Sequence, residues 1–482
     1  MRRLCFLLIT VVFLSGCYAT SARLKPPLEE EGEVFLYVQP LPGEAERLRF
    51  IISEIVARRD DGREFPLTLA LSEFSVSAVN RQRLVASGRV PPGSYRGLAF
   101  RAREAFLKGE EGENALLVPE EPLLAPFPFE VRKGRASVLE GTLRPTEAVR
   151  DRFSFSPSFF LIRPERPITA LMGYVANYGS NDITVFNKKA ARVVDVIATG
   201  AGPRGIALDQ ARQRAYVALA GEDSVDVIDL ASDEIIHRIA LAAGDRPQEP
   251  ALSPDGRILL TANKGSDTVS VIDTVSFIEL ERIGLGPLPT QERTSGGSGP
   301  NSVLIDPTGR RAYVFNTLSD SISIIDLAAS DFAARRVTAT ISVDAGPLRG
   351  QLNRKGDRLY VIHSLSSYLT VIDPSSLSVL QRISVGTGAS ALQIDARTDR
   401  IYLGRRFDPL VSVYEPGLDM PIDRIPAGGG VSSMAIDGEE NDLYLVVPRK
   451  NSLKSVNLIG DQAVMELDIG EDAYWVTMMG QR

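Results

Sequence analysis

Two short phrases recur along the last two-thirds of the chain. Tyr174-Val175-Ala176-Asn177 is followed by a polar turn and a second apolar strand ending at Asn187; Val225-Asp226-Val227-Ile228-Asp229 and Val269-Ser270-Val271-Ile272-Asp273 are clear forms of that second strand. The copies begin at Tyr174, Tyr216, Leu260, Tyr313, Tyr360, Tyr402 and Tyr444. In each, the residue thirteen positions on closes the second strand: Asn187, Asp229, Asp273, Asp326, Asp373, Glu415 and Asn457. A fixed internal distance held over seven copies means one structural unit repeated.

Each unit reads as four strands. Strand a follows Gly-Pro or its equivalent (Ile206–Leu208, Ser302–Ile305, Leu392–Ile394, Met434–Ile436), and strands b and c carry the two phrases. Strand d is more polar (Val193–Ile197, Ile235–Ile239, Leu380–Val385). Tight turns such as Ser253-Pro254-Asp255-Gly256 and Asp306-Pro307-Thr308-Gly309 join a to b. Four antiparallel strands every 42 to 53 residues make the blade of a β-propeller. The first copy lacks a strand a, while the chain finishes with Tyr474-Trp475-Val476-Thr477-Met478-Met479, an unpartnered strand of that type. The tail is therefore expected to complete the first blade and close a seven-bladed ring, removing its free edges.

These phrases, with Gly-Pro-x-Gly-Ile-Ala at 202–207, resemble the YVTN family of β-propeller repeats over residues 170–482. Copies six and seven (Tyr402-Leu403-Gly404-Arg405 and Tyr444-Leu445-Val446-Val447) lose the Asn. Some propellers resembling this one are lactonases or subunits of oxidoreductases.

From Glu33 to about residue 165 the pattern is different: short alternating segments at 34–38, 48–55, 74–79, 84–90, 95–100, 129–131, 136–143 and 153–162, separated by turns such as Pro91-Pro92-Gly93-Ser94. Many short strands without helical period predict a β-sandwich over 33–165. The Pro-Pro-Gly-x-Tyr phrase loosely resembles transthyretin-like or immunoglobulin-like extracytoplasmic modules.

The chain opens with Arg2 and Arg3, an apolar run from Leu4 to Leu14, and Leu14-Ser15-Gly16-Cys17. The run is too short to span a membrane and has the form of an export signal over residues 1–16. Its ending resembles the lipobox of bacterial lipoproteins. That resemblance implies cleavage before Cys17, lipid on Cys17 and a polar tether over 17–32. Tyr18 stands where an inner-membrane retention signal would place Asp, so the expected location is the outer membrane of a bacterial envelope.

Cys5 and Cys17 are the only cysteines, so the mature body has no thiol for a disulfide or a metal. The net charge of −7 argues against general attraction to nucleic acid. No haem-attachment, Gly-x-Ser-x-Gly or phosphate-loop motif occurs, and no cofactor is expected. His237 reads as a surface residue of an outer strand.

Strand directions put the b–c and d–a loops on one face, with the a–b and c–d turns on the other. The first face carries the longer, variable loops, including Gly286–Gly299, and is where function is expected. Its candidate rim residues are Asn177, Asn263, Asn316, His363 and Arg405 at the ends of strand b. Arg204, Asn301, Arg349, Ser390 and Ser432 stand at the d–a junctions, with Tyr474 and Trp475 on the closing strand. Asn, Arg and aromatic groups suit polar or anionic ligands. The Asn side chains read more simply as turn caps. Two functions follow. One is a non-catalytic, lipid-anchored binding or scaffold protein that presents a propeller face to a protein, peptide or envelope glycan. The other is a lactonase-like or oxidoreductase-associated propeller enzyme, with Asn177, Asn263, Asn316 and Glu222 or Asp267 offering oxygen ligands to a divalent ion.

Overall fold

The computed structural model describes residues 25–110, 112–286, 297–328, 336–460 and 462–481. The signal segment, Cys17, the first part of the tether and positions 287–296 of the glycine-rich loop lie outside the described residues.

Seven four-stranded antiparallel sheets follow one another in the order the repeat predicts. Blade 1 has the strand order 192–198, 182–187, 172–177, 473–478, so its inner strand comes from the carboxyl-terminal tail. Gly173 pairs with Met478 and Val175 with Val476. Blades 2 to 7 are sequential, starting at Pro203, Pro247, Pro300, Pro347, Ala389 and Ser433. Strand c of blade 6 ends at Tyr414, one residue short of Glu415.

Strand b has apolar residues on both faces because every blade is packed on both sides, and successive side chains serve opposite neighbours. Tyr174 joins the core shared by blades 1 and 2, while Val175 joins the core shared by blades 7 and 1. The same alternation generates one apolar cluster at each of the seven blade interfaces. The residue closing strand c caps the c–d turn: Asp229 Oδ1 accepts from the Ala231 and Ser232 amides, and Asn187 Oδ1 from those of Lys189 and Ala190.

The amino-terminal residues form two larger sheets around one apolar core, with a two-stranded sheet of Val149–Arg150 and Ser154–Phe155 beside them. The first contains Gly32–Val38, parallel to Ala136–Leu143 and antiparallel to Arg83–Val90. The second is built on the long pair Leu48–Arg59 and Gly93–Lys108. Two expected strands are shorter than the sequence suggested. Of 74–79, only Phe74 is in a strand (Glu73–Phe74), because Ser75 caps a turn through its hydroxyl and carbonyl. The stretch 153–162 splits into Ser154–Phe155 and Phe159–Ile162 across Pro157, which cannot donate to a ladder.

Gly32–Val38 is buried on both faces. Val34, Leu36 and Val38 enter the sandwich core, whereas Phe35 and Tyr37 enter the cluster between blades 7 and 1. The sandwich is thus seated across the seam where the ring closes. Arg81 and Arg83 both bridge Asp468 of the outer strand of blade 7 at 2.8 Å. On blade 1, the Gln82 side chain accepts the Val193 amide at 2.7 Å. The later part of the expected tether also touches the ring: the Lys25 amide donates to Gly179 O, and Asn181 donates to Lys25 O, both on the b–c turn of blade 1.

Candidate functional site

The site is generated by a defect that each blade repeats. Where strand a begins, one extra residue is inserted against strand b in blades 1 to 6. Such bulges turn a side chain out of the ladder, here toward the ring axis. The two residues after the paired Pro or Ala are Tyr474-Trp475, Arg204-Gly205, Gln248-Glu249, Asn301-Ser302, Leu348-Arg349 and Ser390-Ala391, with Ser432-Ser433 at the matching place in blade 7. Of these, Tyr474, Arg204, Asn301, Leu348, Arg349, Ser390 and Ser432 line a cavity of about 960 Å³ that opens on the b–c face, where Tyr178, Lys264, Thr317, Ser364, Leu365, Arg406, Phe407, Pro448 and Arg449 of the b–c turns join them.

The floor is an ionic and aromatic cluster. Arg349, 8% exposed, donates through Nη2 to Glu249 Oε1 at 2.7 Å, and the Tyr474 hydroxyl donates to the same oxygen at 2.8 Å. Burial pushes the Glu249 carboxyl above its ordinary value, against the pull of Arg349 and the Tyr474 hydrogen bond. Burial likewise raises the Tyr474 phenol. The Arg204 guanidinium lies between the rings of Tyr178 and Tyr474, at 4.3 and 4.5 Å from their centroids. Arg349 lies 5.0 Å from the Trp475 ring. These are cation–π distances. Arg204 has no ion pair among the described residues, and the Nε atoms of Arg204 and Arg349 are buried without a hydrogen-bond partner. Lys264, Arg406 and Arg449 add charge at the mouth. The Lys264 ammonium is held below its usual range, first by desolvation and then by Arg204.

The nominated residues separate into two groups. Arg204, Asn301, Arg349, Ser390, Ser432 and Tyr474 line the cavity. Three of them have structural employment around the ring: Asn301 donates to Leu348 O, Ser390 to Val431 O and Ser432 to Ala473 O, each joining its blade to the next. Trp475 stands behind the lining, packed against the core of blades 1 and 2.

Asn177, Asn263, Asn316 and His363 are fully or almost fully buried inside their own blades and do not line the cavity. Asn177 donates to Asp182 and Thr184, Asn263 to Thr268 and Ser270, and Asn316 to Ser321 and Ser323. They staple strand b to strand c through side chains, rather than capping a turn through their own backbone. His363 occupies the same place, with Nε2 2.8 Å from Thr370 Oγ1, and burial lowers its basicity. Arg405 is held by Asp408 and Val385 O. Of the other oxygen ligands considered, Glu222 pairs with Arg238, and Asp267 accepts the Gly299 amide. No group of three His, Cys, Asp or Glu side chains among the described residues is placed to hold a metal ion. His237 is exposed and stacks on Phe277.

Glu249 was not singled out from the sequence. The signal was present: Pro247 aligns with Pro203, Pro300 and Pro347, which puts Glu249 level with Arg349.

Residues 168–398 match the YNCE-like β-propeller family. Among solved structures, the chain resembles hydrazine synthase of Kuenenia stuttgartiensis (19% identity, 59% of this chain and 91% of that one, TM-score 0.51). It also resembles a protein of unknown function from Desulfotomaculum acetoxidans (12%, 64% and 98%, TM-score 0.54). A third is dihydro-heme d1 dehydrogenase NirN (12%, 66% and 77%, TM-score 0.50). At these identities the likeness is one of fold. No curated protein matches the sequence.

Proposed function

Taking residues 168–398 as a YNCE-like β-propeller, we propose that the chain is a lipid-anchored envelope protein that binds an anionic ligand in the central cavity of its b–c face. The observation that carries this reading is Arg204. A guanidinium between two tyrosine rings, without a carboxylate partner among the described residues, has donors to spare for an incoming carboxylate or phosphate. The lining carries five cations, Arg204, Lys264, Arg349, Arg406 and Arg449, against the carboxylate of Asp472, and Glu249 behind it is engaged by Arg349 and Tyr474, so the cavity stays positive. A positive cavity in a chain of net charge −7 is a local arrangement, not a consequence of composition. The fold itself is compatible with binding and with enzyme-associated roles, and the named neighbours include enzymes. The cavity chemistry favours binding, because its polar groups are donors for an anion rather than a nucleophile beside a base.

Calorimetry with phosphate and citrate, together with thermal melts, tests the cavity. An anion that binds the folded state raises the melting temperature. Arg204→Met should weaken binding by about 10- to 100-fold, the worth of one or two charge-assisted hydrogen bonds. Equal affinity in parent and variant would remove the cavity from consideration.

The anchor is tested separately. Among the described residues no helix is long and apolar enough to cross a membrane. Attachment through Cys17 would hold the chain at a membrane without one. Metabolic labelling with a fatty-acid analogue should mark the parent and leave Cys17→Ala unmarked. Label retained on the variant refutes acylation at that residue.

A further inference from the structure

We infer that the b–c face is a membrane-docking surface that lies against an anionic lipid bilayer, with Leu318, Leu365 and Phe407 seated in its interfacial layer. The second residue of the b–c turn is Gly179, Gly221 and Gly265 in blades 1 to 3, but Leu318, Leu365 and Phe407 in blades 4 to 6. These three are 62%, 73% and 71% exposed, on consecutive blades. Tyr368, 41% exposed, begins strand c beside Leu365 and adds the amphipathic ring favoured at membrane interfaces.

Exposed apolar groups by themselves decide little, because the opposite face has them too. Val275 and Ile278 on blade 3 are 68% and 59% exposed, and Met420 on blade 6 and Ile459 on blade 7 are 75% and 79% exposed, with Leu418 and Ile422 beside Met420. What distinguishes the crest is its company. Arg406, Arg449 and Lys450 flank it, all exposed, and the Arg449 guanidinium lies 5.0 Å from the Phe407 ring. The acids of that sector are already engaged: Asp320 by the Gly346 amide, Asp344 by Arg382 and Asp408 by Arg405. Apolar side chains bordered at the Phe407 end by cations that have no ion pair among the described residues suit an interface of acyl chains and anionic headgroups.

The chain's own route points the same way. Lys25 is bound to the b–c turn of blade 1, across the ring from the crest. Seven residues, 18–24, lie between it and Cys17, at most roughly 28 Å of extended chain. On the lipid-anchor reading, which this orientation borrows, the tether holds the blade 1 side of the face near the bilayer, and the crest supplies a second contact opposite.

Docking is read without any acyl chain, using the mature chain from residue 17 with Cys17→Ser. It should co-sediment with vesicles of phosphatidylglycerol and phosphatidylethanolamine, and less in high salt. The triple variant Leu318→Ser, Leu365→Ser, Phe407→Ser should lower the partition coefficient about tenfold or more. The matched triple variant on the other face, Val275→Ser, Ile278→Ser, Ile459→Ser, should leave it within about twofold, as should Arg204→Met. Near-ultraviolet circular dichroism checks that each variant is folded. A parent that stays in the supernatant, with or without capture of an envelope protein by the crest, overturns the proposal. So does an equal loss in the opposite-face variant. A loss of partition in Arg204→Met as large as that of the crest variant would move lipid recognition into the cavity and overturn docking by the crest. Leu365 and Phe407 also line the cavity, so the phosphate affinity of each variant, measured without vesicles, reads the cavity apart from the crest.

Discussion

Removing residues 473–482 should abolish the native ring. The deleted strand pairs with 172–177 over five residue pairs, and Val476 and Met478 are buried to within 1% in the cluster that also receives Phe35 and Tyr37. Each such side chain contributes about 1.5–3 kcal/mol by burial. The whole loss, with the ladder and the Trp475 contacts, is comparable to the 5–15 kcal/mol that holds a typical domain folded. The truncated chain would also present Met172–Asn177 as a bare apolar edge, a template for association. Size-exclusion chromatography and thermal melts read the outcome. Aggregates or an expanded species without a cooperative transition are expected. A monomer melting within a few degrees of the parent would show that closure by the tail contributes little.

Asp437→Ala should be the most damaging single substitution at the seam, at about 3–5 kcal/mol. Asp437 closes strand a of blade 7 and is fully buried. It accepts from the Lys188 ammonium, whose side chain is 6% exposed, at 2.6 Å. Lys188 belongs to the c–d turn of blade 1 and also donates to Met479 O at 2.8 Å, so one ammonium ties blade 7, blade 1 and the carboxyl-terminal tail together. Taking away the carboxylate leaves that ammonium desolvated and unpaired. Exchanging both partners for apolar groups removes the same attraction without stranding a charge. Lys188→Met with Asp437→Leu should therefore recover most of the loss. Urea unfolding of both variants measures this. A cost below about 1 kcal/mol for Asp437→Ala would mean that water reaches Lys188 and that the pair is worth no more than a surface bridge.

The propeller was legible because each blade solves the same packing problem with the same residues, and repetition turns a weak strand signal into a period. Its weak point was the interior of the blade. Asn177, Asn263, Asn316 and His363 stand at the end of strand b beside the cavity mouth, and position alone made them rim candidates. Their donors are used within 3.2 Å by hydroxyl and carboxyl groups of strand c, a pairing that depends on cross-strand register. Glu249 shows the converse. Its environment comes from Arg349 and Tyr474, distant by 100 and 225 residues, so its raised pKa had no local sign.

Residues 32–38 show the same limit in the sandwich. The segment reads as an apolar strand, and it is one. That Phe35 and Tyr37 face a second domain depends on where the sandwich comes to rest, and hence on Asp468 and Val193 far along the chain.

The sequence by itself determined the number of blades, the strand order within them, the closing strand and the separation of the two faces, because these follow from side-chain alternation and repeat length. Only the tertiary structure decided which side chains reach the axis, how Arg204, Glu249, Arg349 and Tyr474 divide their charge, and that Lys25 meets the ring beside the cavity mouth. Periodicity is a property of neighbours along the chain. A site is a property of neighbours in space, and in a closed ring those come from every blade at once.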